Sequence, residues 1–212
     1  MLYVGSQKYK LYVGSERRMI VVPLPYDAEV EYLESTGTQY IDTGIIPDAN
    51  TGIYAKLEPS NTTDTYAIGL RDTTGDTRWC IGYSNFGWYW GYGTYLSSHD
   101  RITSFNVDAK LNWLADGELI VTDGTNTKTY ALPSLSFTPS NNIRLFGSAG
   151  VSASYSVWSG KIYGVQISQG SNIIMSLIPA RVGQVGYMYD KVSGQLFGNS
   201  GTGSFTIGND VN

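Results

Sequence analysis

The sequence predicts an all-β sandwich of two antiparallel sheets, and three observations carry that prediction. Only 15% of the 212 residues are charged, glycine and proline number 25 and 7, and tyrosine alone reaches 17. That balance is poor in helix formers and rich in residues that suit pleated strands and tight turns. Short β-rich runs then alternate with turn signals along most of the chain, at 29–34, 39–43, 52–57, 65–70, 78–83, 88–92, 102–107, 110–114, 118–122, 127–132, 142–146, 157–168, 173–177 and 186–189. Finally, Leu114-Ala-Asp116-Gly117-Glu118 sets Asp-Gly between two apolar runs. This pair most readily takes positive φ at both turn positions and matches the strand twist, so 110–122 is a hairpin.

The chain opens with an internal repeat. Leu2-Tyr-Val-Gly-Ser6 recurs as Leu11-Tyr-Val-Gly-Ser15, and a third apolar run, Met19-Ile-Val-Val22, follows at similar spacing. Each unit reads as a short strand closed by a Gly-Ser turn, and so little chain cannot offset its own ordering entropy. Residues 1–22 must therefore dock, either on the following domain or on neighbouring copies of the same segment. Leu2, Tyr3, Val4, Leu11, Tyr12 and Val13 are the candidate attachment or oligomerisation residues. Pro23-Leu-Pro25-Tyr-Asp27 reads as a linker because its prolines disfavour helix and central strand, which leaves 28–212 as the main domain.

Charge and apolar patterning remove several functions. Residues 1–22 hold four basic side chains (Lys8, Lys10, Arg17, Arg18) and one acid, Glu16, leaving ten basic and seventeen acidic groups in the rest. An acidic body argues against nucleic-acid binding, while the basic start either meets an acidic partner surface or is solvated. No apolar stretch approaches the roughly 18 to 20 residues of a membrane span, and the start lacks the long apolar run of a secretory signal, so an exterior role needs another export route. The one cysteine, Cys80, lies in an apolar strand-like run and reads as a buried, inert thiol. Along Lys161-Ile-Tyr-Gly-Val-Gln-Ile167, simple alternation sends Tyr163, Val165 and Ile167 to the core and leaves Ile162, Gly164 and Gln166 on a wet face.

Both ends of this domain resemble a known family. Glu31-Tyr-Leu-Glu-Ser-Thr-Gly-Thr-Gln-Tyr-Ile-Asp-Thr-Gly44 resembles the opening strand pair of laminin-G-like, concanavalin A-like jelly rolls of bacteriophage and gut-bacterial surface proteins. Ser159-Gly-Lys-Ile-Tyr-Gly-Val-Gln-Ile167 is similar to the late core strand of that family. Ser176-Leu-Ile-Pro-Ala-Arg181, Val185-Gly-Tyr-Met-Tyr-Asp190 and Leu196-Phe-Gly-Asn-Ser-Gly-Thr-Gly-Ser-Phe205 are similar to its closing segment. The likeness is weak between about 51 and 141. The Leu-Tyr-Val-Gly-Ser repeat also resembles short repeats near the starts of phage minor structural proteins. Together these resemblances imply a two-sheet jelly roll used for adhesion or glycan binding. They also imply a virion protein, made in the host bacterial cytoplasm without a signal peptide and reaching the particle surface by assembly. Its implied partners are other virion proteins through residues 1–22 and a host-surface glycan, and the implied assembly is a homotrimer.

Several constellations are candidates for chemistry. The run 79–95 holds eight of the chain's aromatics, and among them Trp88, Tyr89, Trp90 and Tyr92 are the glycan-binding candidates, since sugar C–H faces stack on Trp and Tyr. Alternation puts Trp88, Trp90 and Tyr92 on one face and Tyr89 on the other, so one face must fill the core. Asp72 and Asp76 offer carboxylates in one loop for Ca²⁺, although six to eight oxygens are required and Asp and Gly also suit any hairpin loop; Asp42 reads as a strand-end turn residue. Glu29, Glu31 and Glu34 superficially resemble the catalytic strand of jelly-roll glucanases. That reaction needs two carboxyls about 5 to 5.5 Å apart, whereas Glu34 points away from the other two on a regular strand. His99 is the sole histidine, beside Ser97, Ser98 and Asp100, and neighbours in sequence rarely converge into a Ser/His/Asp triad. No glycine pattern cradles a phosphate, and no cofactor is expected. The reading is a non-enzymatic virion protein displaying a lectin-like jelly roll. A decoration or baseplate protein making protein contacts alone is the first alternative, and a glycoside hydrolase the second.

Overall fold

The computed structural model describes residues 6–13, 16–61, 63–72, 77–85, 87–96, 109–113, 118–122, 127–131, 136–150 and 157–211, with backbone alone for 6–13, 16–22, 95–96 and 109–113. Every regular element among them is a strand. In order they are β1 (Ser6–Val13), β2 (Glu16–Pro23), β3 (Ala28–Glu29), β4 (Leu33–Thr36), β5 (Ile41–Asp42), β6 (Thr51–Pro59), β7 (Thr65–Arg71), β8 (Arg78–Ser84), β9 (Gly87–Gly93) and β10 (Tyr95–Leu96). There follow β11 (Ala109–Trp113), β12 (Glu118–Thr122), β13 (Thr127–Ala131), β14 (Arg144–Leu145), β15 (Ser159–Gln169), β16 (Asn172–Val182), β17 (Val185–Asp190), β18 (Leu196–Phe197) and β19 (Thr206–Ile207).

The strands form an antiparallel sandwich of jelly-roll type. The smaller sheet runs β10-β9-β8-β7-β14-β5, and the larger runs β13-β12-β11-β6-β15-β16-β17-β18 with β3, β4 and β19 joined at its side. The expected hairpin pairs β11 with β12 from Lys110↔Thr122 to Trp113↔Leu119, its Asp-Gly turn lying outside the described residues. One continuous core fills the space between the sheets. Ile53, Ala55, Leu57, Val165, Ile167 and Leu177 project from the larger sheet against Ile68, Leu70, Trp79, Ile81, Trp88 and Trp90 from the smaller. Cys80 is buried on the other face of the smaller sheet, in a cluster with Tyr66 and Tyr89.

At the N-terminus β1 and β2 pair over their full length, from Ser6↔Pro23 to Val13↔Glu16, as a two-stranded sheet that bonds to no other described strand. Of the first copy of the repeat only Ser6 lies in β1, Leu2 to Gly5 falling outside the described residues, and the side chains of Leu11, Tyr12 and Val13 also fall outside them. The segment expected to be a linker is instead seated on the sandwich. Tyr26 is buried beside Ala180 and Tyr189, its ring 4.8 Å from that of Tyr189, and Leu24 packs on the same cluster. The prolines stiffen the segment, but the aromatic between Pro25 and Asp27 gives it an apolar anchor, and Asp27 N–H bonds Arg181 O at 2.8 Å.

Alternation along β15 is broken once. Its pairing with β6 shifts register between Ile162 and Gly164, so Tyr163 is an extra residue opposite one on β6. Ile162 therefore points into the core together with Val165 and Ile167, and Tyr163 points outward, which reverses the two positions that simple alternation assigned.

Candidate functional site

The outer face of the larger sheet carries a groove of about 390 Å³, and the strand register explains its shape. Tyr54 on β6 pairs with Gln166 on β15, which pairs with Ser176 on β16, so these three side chains form one row across the sheet. In the next row Lys56 pairs with Gly164, and Ile178 lies on the β16 side. A Cβ built on Gly164 would meet only Leu177 O, at an ordinary 3.5 Å, and its φ is not in the left-handed region. Glycine inside a strand costs roughly 0.5–1 kcal/mol relative to alanine. Neither backbone nor packing demands it here; its effect is an open floor.

The walls are held by named contacts. Tyr163 O–H donates to the Glu58 carboxylate, Lys161 Nζ reaches the same carboxylate at 2.9 Å, and Lys56 Nζ lies 4.6 Å from the Tyr163 ring centroid. Tyr32 meets the Tyr163 ring edge-on at 5.6 Å and carries Lys161 Nζ 4.8 Å from its own centroid. Burial alone would raise the Glu58 carboxyl, but bonds from Tyr163 and Lys161 and the charges of Lys161 and Lys56 outweigh it and hold the group below its ordinary range. At the far wall Lys191 N–H bonds Ser176 O at 2.8 Å, placing that lysine on the groove. Ile178, which lines the groove, also packs on the cluster of Tyr26, Ala180 and Tyr189. Tyr54 is 37% exposed and offers an apolar ring to the solvent. Chemically the groove combines that ring with the amide of Gln166, the hydroxyl of Ser176 and two lysines, Lys56 and Lys191, and no Asp or Glu among the described residues lines it.

The sequence-predicted aromatics lie elsewhere. Trp88, Tyr89, Trp90 and Tyr92 are 1%, 5%, 2% and 5% exposed, so none presents a ring face to a sugar. Trp88 packs on Tyr83 with centroids 4.9 Å apart, Trp90 on Tyr130 at 4.5 Å, and Tyr92 on Phe137 at 5.0 Å with its O–H donating to Ala49 O at 2.7 Å. These three fill the inner face, as alternation required of one face. Tyr89 is on the outer face but lies across Gly82 on β8, where its ring occupies the place of the missing side chain, and it packs on Tyr66.

The acidic candidates also have structural partners. Asp72 is buried and accepts from Ser140 N–H at 2.7 Å, Ser140 O–H at 3.2 Å and the Asn141 amide, so its carboxylate closes a loop and is not presented to a cation; Asp76 is outside the described residues. Asp42 accepts from Gly44 N–H at 2.9 Å and serves the strand-end turn as expected. Glu29 accepts from Tyr26 O–H, Glu31 from Asn209, and Glu34 from Ser60 O–H, each on its own contact. Ser97, Ser98, His99 and Asp100 lie outside the described residues. Among the described residues no group of three His, Cys, Asp or Glu side chains is placed to hold a metal ion.

No protein-family model matches the chain, and no curated protein matches it. Solved structures share its fold. A candidate carbohydrate-binding protein from Bacteroides ovatus superposes with a TM-score of 0.56 at 12% identity, over 93% of this chain and 65% of that one. The full extracellular region of zebrafish Gpr126/Adgrg6 superposes with a TM-score of 0.51 at 14% identity, over 91% of this chain and 28% of that one. The chain thus spans less than two thirds of either structure, and at these identities the likeness is one of fold.

Proposed function

We propose that the chain is a non-enzymatic, lectin-like jelly roll that binds glycan in the groove on its larger sheet, displayed on a virion surface through its N-terminal β hairpin. The observation that carries the binding assignment is the bare floor at Gly164, between Lys56 and Gln166, which no local constraint requires. Tyr54 supplies a ring for sugar C–H stacking, and Gln166 and Ser176 supply hydroxyl partners. A groove with no carboxylate among its described lining residues favours binding over hydrolysis, because glycoside cleavage runs on a carboxyl pair. The fold shared with a candidate carbohydrate-binding protein agrees with this reading.

Gly164→Val tests it. The added side chain fills the floor, so glycan binding on an array falls at least tenfold, while stability to urea is unchanged or rises by up to about 1 kcal/mol. Glycan binding that survives this substitution removes the groove from the proposal. An array silent for the unaltered chain turns the assignment toward a decoration protein with protein contacts alone.

The virion assignment rests on the sequence resemblances, and the assembly assignment rests on β1 and β2. A two-stranded sheet is marginal alone, and this one bonds to no other described strand of its own chain. Copies of the segment supply the missing neighbours in a homotrimer. Light scattering of the full chain gives the mass of three chains; a stable monomer defeats this part of the proposal.

A further inference from the structure

We infer that the side of the larger sheet where residues 23–27 enter is a docking surface for the basic β1–β2 hairpin of a second copy of the chain. The inference rests on the assembly reading above and names the surface that the hairpin meets. Val182 and Val185 pair across the turn between β16 and β17 and are 38% and 51% exposed, and Val211 is 53% exposed. Val211 N–H bonds Glu29 O, and Glu29 pairs with Ala180, two residues before Val182, so the three valines border one stretch of the sheet. Residues 24–27 of the same chain are seated beside them, with Asp27 accepting from Gly183 N–H at 2.7 Å, and still leave all three open.

Carboxylates surround this apolar stretch. Asp27, Glu29, Glu31 and Asp210 face one guanidinium, that of Arg181, which donates to both oxygens of Asp210 at 2.7 and 2.6 Å. Each of the other three acids keeps one oxygen without a bond among the described residues: Asp27 accepts from Gly183 N–H, Glu29 from Tyr26 O–H and Glu31 from Asn209, always on a single oxygen. The hairpin carries the opposite balance, with Lys8, Lys10, Arg17 and Arg18 against Glu16. The pairs Lys8↔Val21, Lys10↔Met19 and Tyr12↔Arg17 place three of these bases on one face together with Tyr12, Met19 and Val21. That mixture matches valines rimmed by acids, and complementary charge steers association and fixes its register. The other face, with Tyr9, Leu11, Val13, Ile20 and Val22, is left for contact between hairpins. A hairpin cannot cover the valines of its own chain, because β2 pairs as far as Pro23 and Tyr26 is already buried on the sheet. Only two residues lie between them, whereas a chain reversal takes about four.

Carbodiimide coupling of the full chain joins lysines to carboxylates in contact, and a denaturing gel with mass spectrometry of the joined peptides reads the result. Products of two and three chain masses are expected, with Lys8 or Lys10 linked to Asp27, Glu29 or Glu31. Val182→Gln combined with Val185→Gln weakens assembly about tenfold in light scattering over a dilution series, and added salt weakens it as well. The urea midpoint of that variant is unchanged, since both positions are exposed. An assembly indifferent to the valine substitutions, with no product joined through residues 27–31, overturns the docking surface and leaves contact between hairpins alone. The same links found only in products of one chain mass place the hairpin on its own sandwich and overturn the inference. A full chain that is monomeric throughout defeats the assembly reading itself.

Discussion

Trp88→Ala lowers the free energy of unfolding by about 3–5 kcal/mol, the range for emptying a large aromatic from a packed core. The indole is 1% exposed and lies between Tyr83, at 4.9 Å, and Trp158, at 6.5 Å between ring centroids. Its Nε1 meets no acceptor among the described residues, so the loss comes from burial and cavity volume, not from a broken hydrogen bond. Tyr54→Ala, on the open outer face, changes stability by no more than about 0.5 kcal/mol. Urea denaturation distinguishes the two: the Trp88 variant shifts its midpoint strongly, and the Tyr54 variant scarcely moves. A Trp88 variant within 1 kcal/mol of the unaltered chain would contradict the inner placement of this residue.

Asp190→Asn is expected to cost about 2–4 kcal/mol at neutral pH. The carboxylate is 1% exposed and accepts Ser176 N–H at 2.7 Å and Val192 N–H at 3.1 Å on one oxygen, and Ser193 N–H at 3.0 Å on the other. An amide presents an N–H₂ where one of these donors points, leaving a donor unsatisfied beside the loss of charge. Burial by itself would raise the Asp190 carboxyl, but the Ser193 hydroxyl and the three backbone N–H groups outweigh it and hold it below its ordinary range. A carboxyl lowered in the folded state contributes stability above its unfolded value, about 3.9, and that contribution disappears as pH falls through the folded value. The gap between the unaltered chain and Asp190→Asn, measured by urea denaturation, therefore narrows on going from pH 7 to pH 3. A gap that widens on acidification would show that Asp190 is not the lowered group.

Strand positions were largely legible because burial enforces a period of two. The expected runs at 78–83 and 88–92 sit within β8 and β9, whose inner faces must pack on the opposing sheet. Pro179 hid the length of β16, expected to end at 177 and extending to Val182. In an antiparallel pair a residue's N and C=O share one edge, and Pro179 O accepts from Val30, so the missing N–H faces Val30 and spares the ladder to β17.

The groove was less legible. The wet face of 161–167 was visible in the pattern and included Gly164 and Gln166, but one inserted residue beside Gly164 sends Tyr163 outward, and only pairing with β6 reveals the shift. The aromatic run misled for a related reason. Its division between two faces can be read from the sequence, whereas the Tyr89 ring lying across Gly82 depends on cross-strand register. A mid-strand glycine on a wet face, with no turn to serve, was the available signal for the floor.

The seating of Tyr26 has a mechanical consequence. Tension entering the chain at Pro23 is taken up first where Tyr26 meets Tyr189 and where β3 pairs with β16 through Ala180↔Glu29 and Arg181↔Ala28. The path continues along β16 to Ile178 and Ser176, at the edge of the groove. Force applied at residue 23 would therefore reach the groove through one strand, sparing the smaller sheet, and a load on either end would be felt at the other over the span of a few residues.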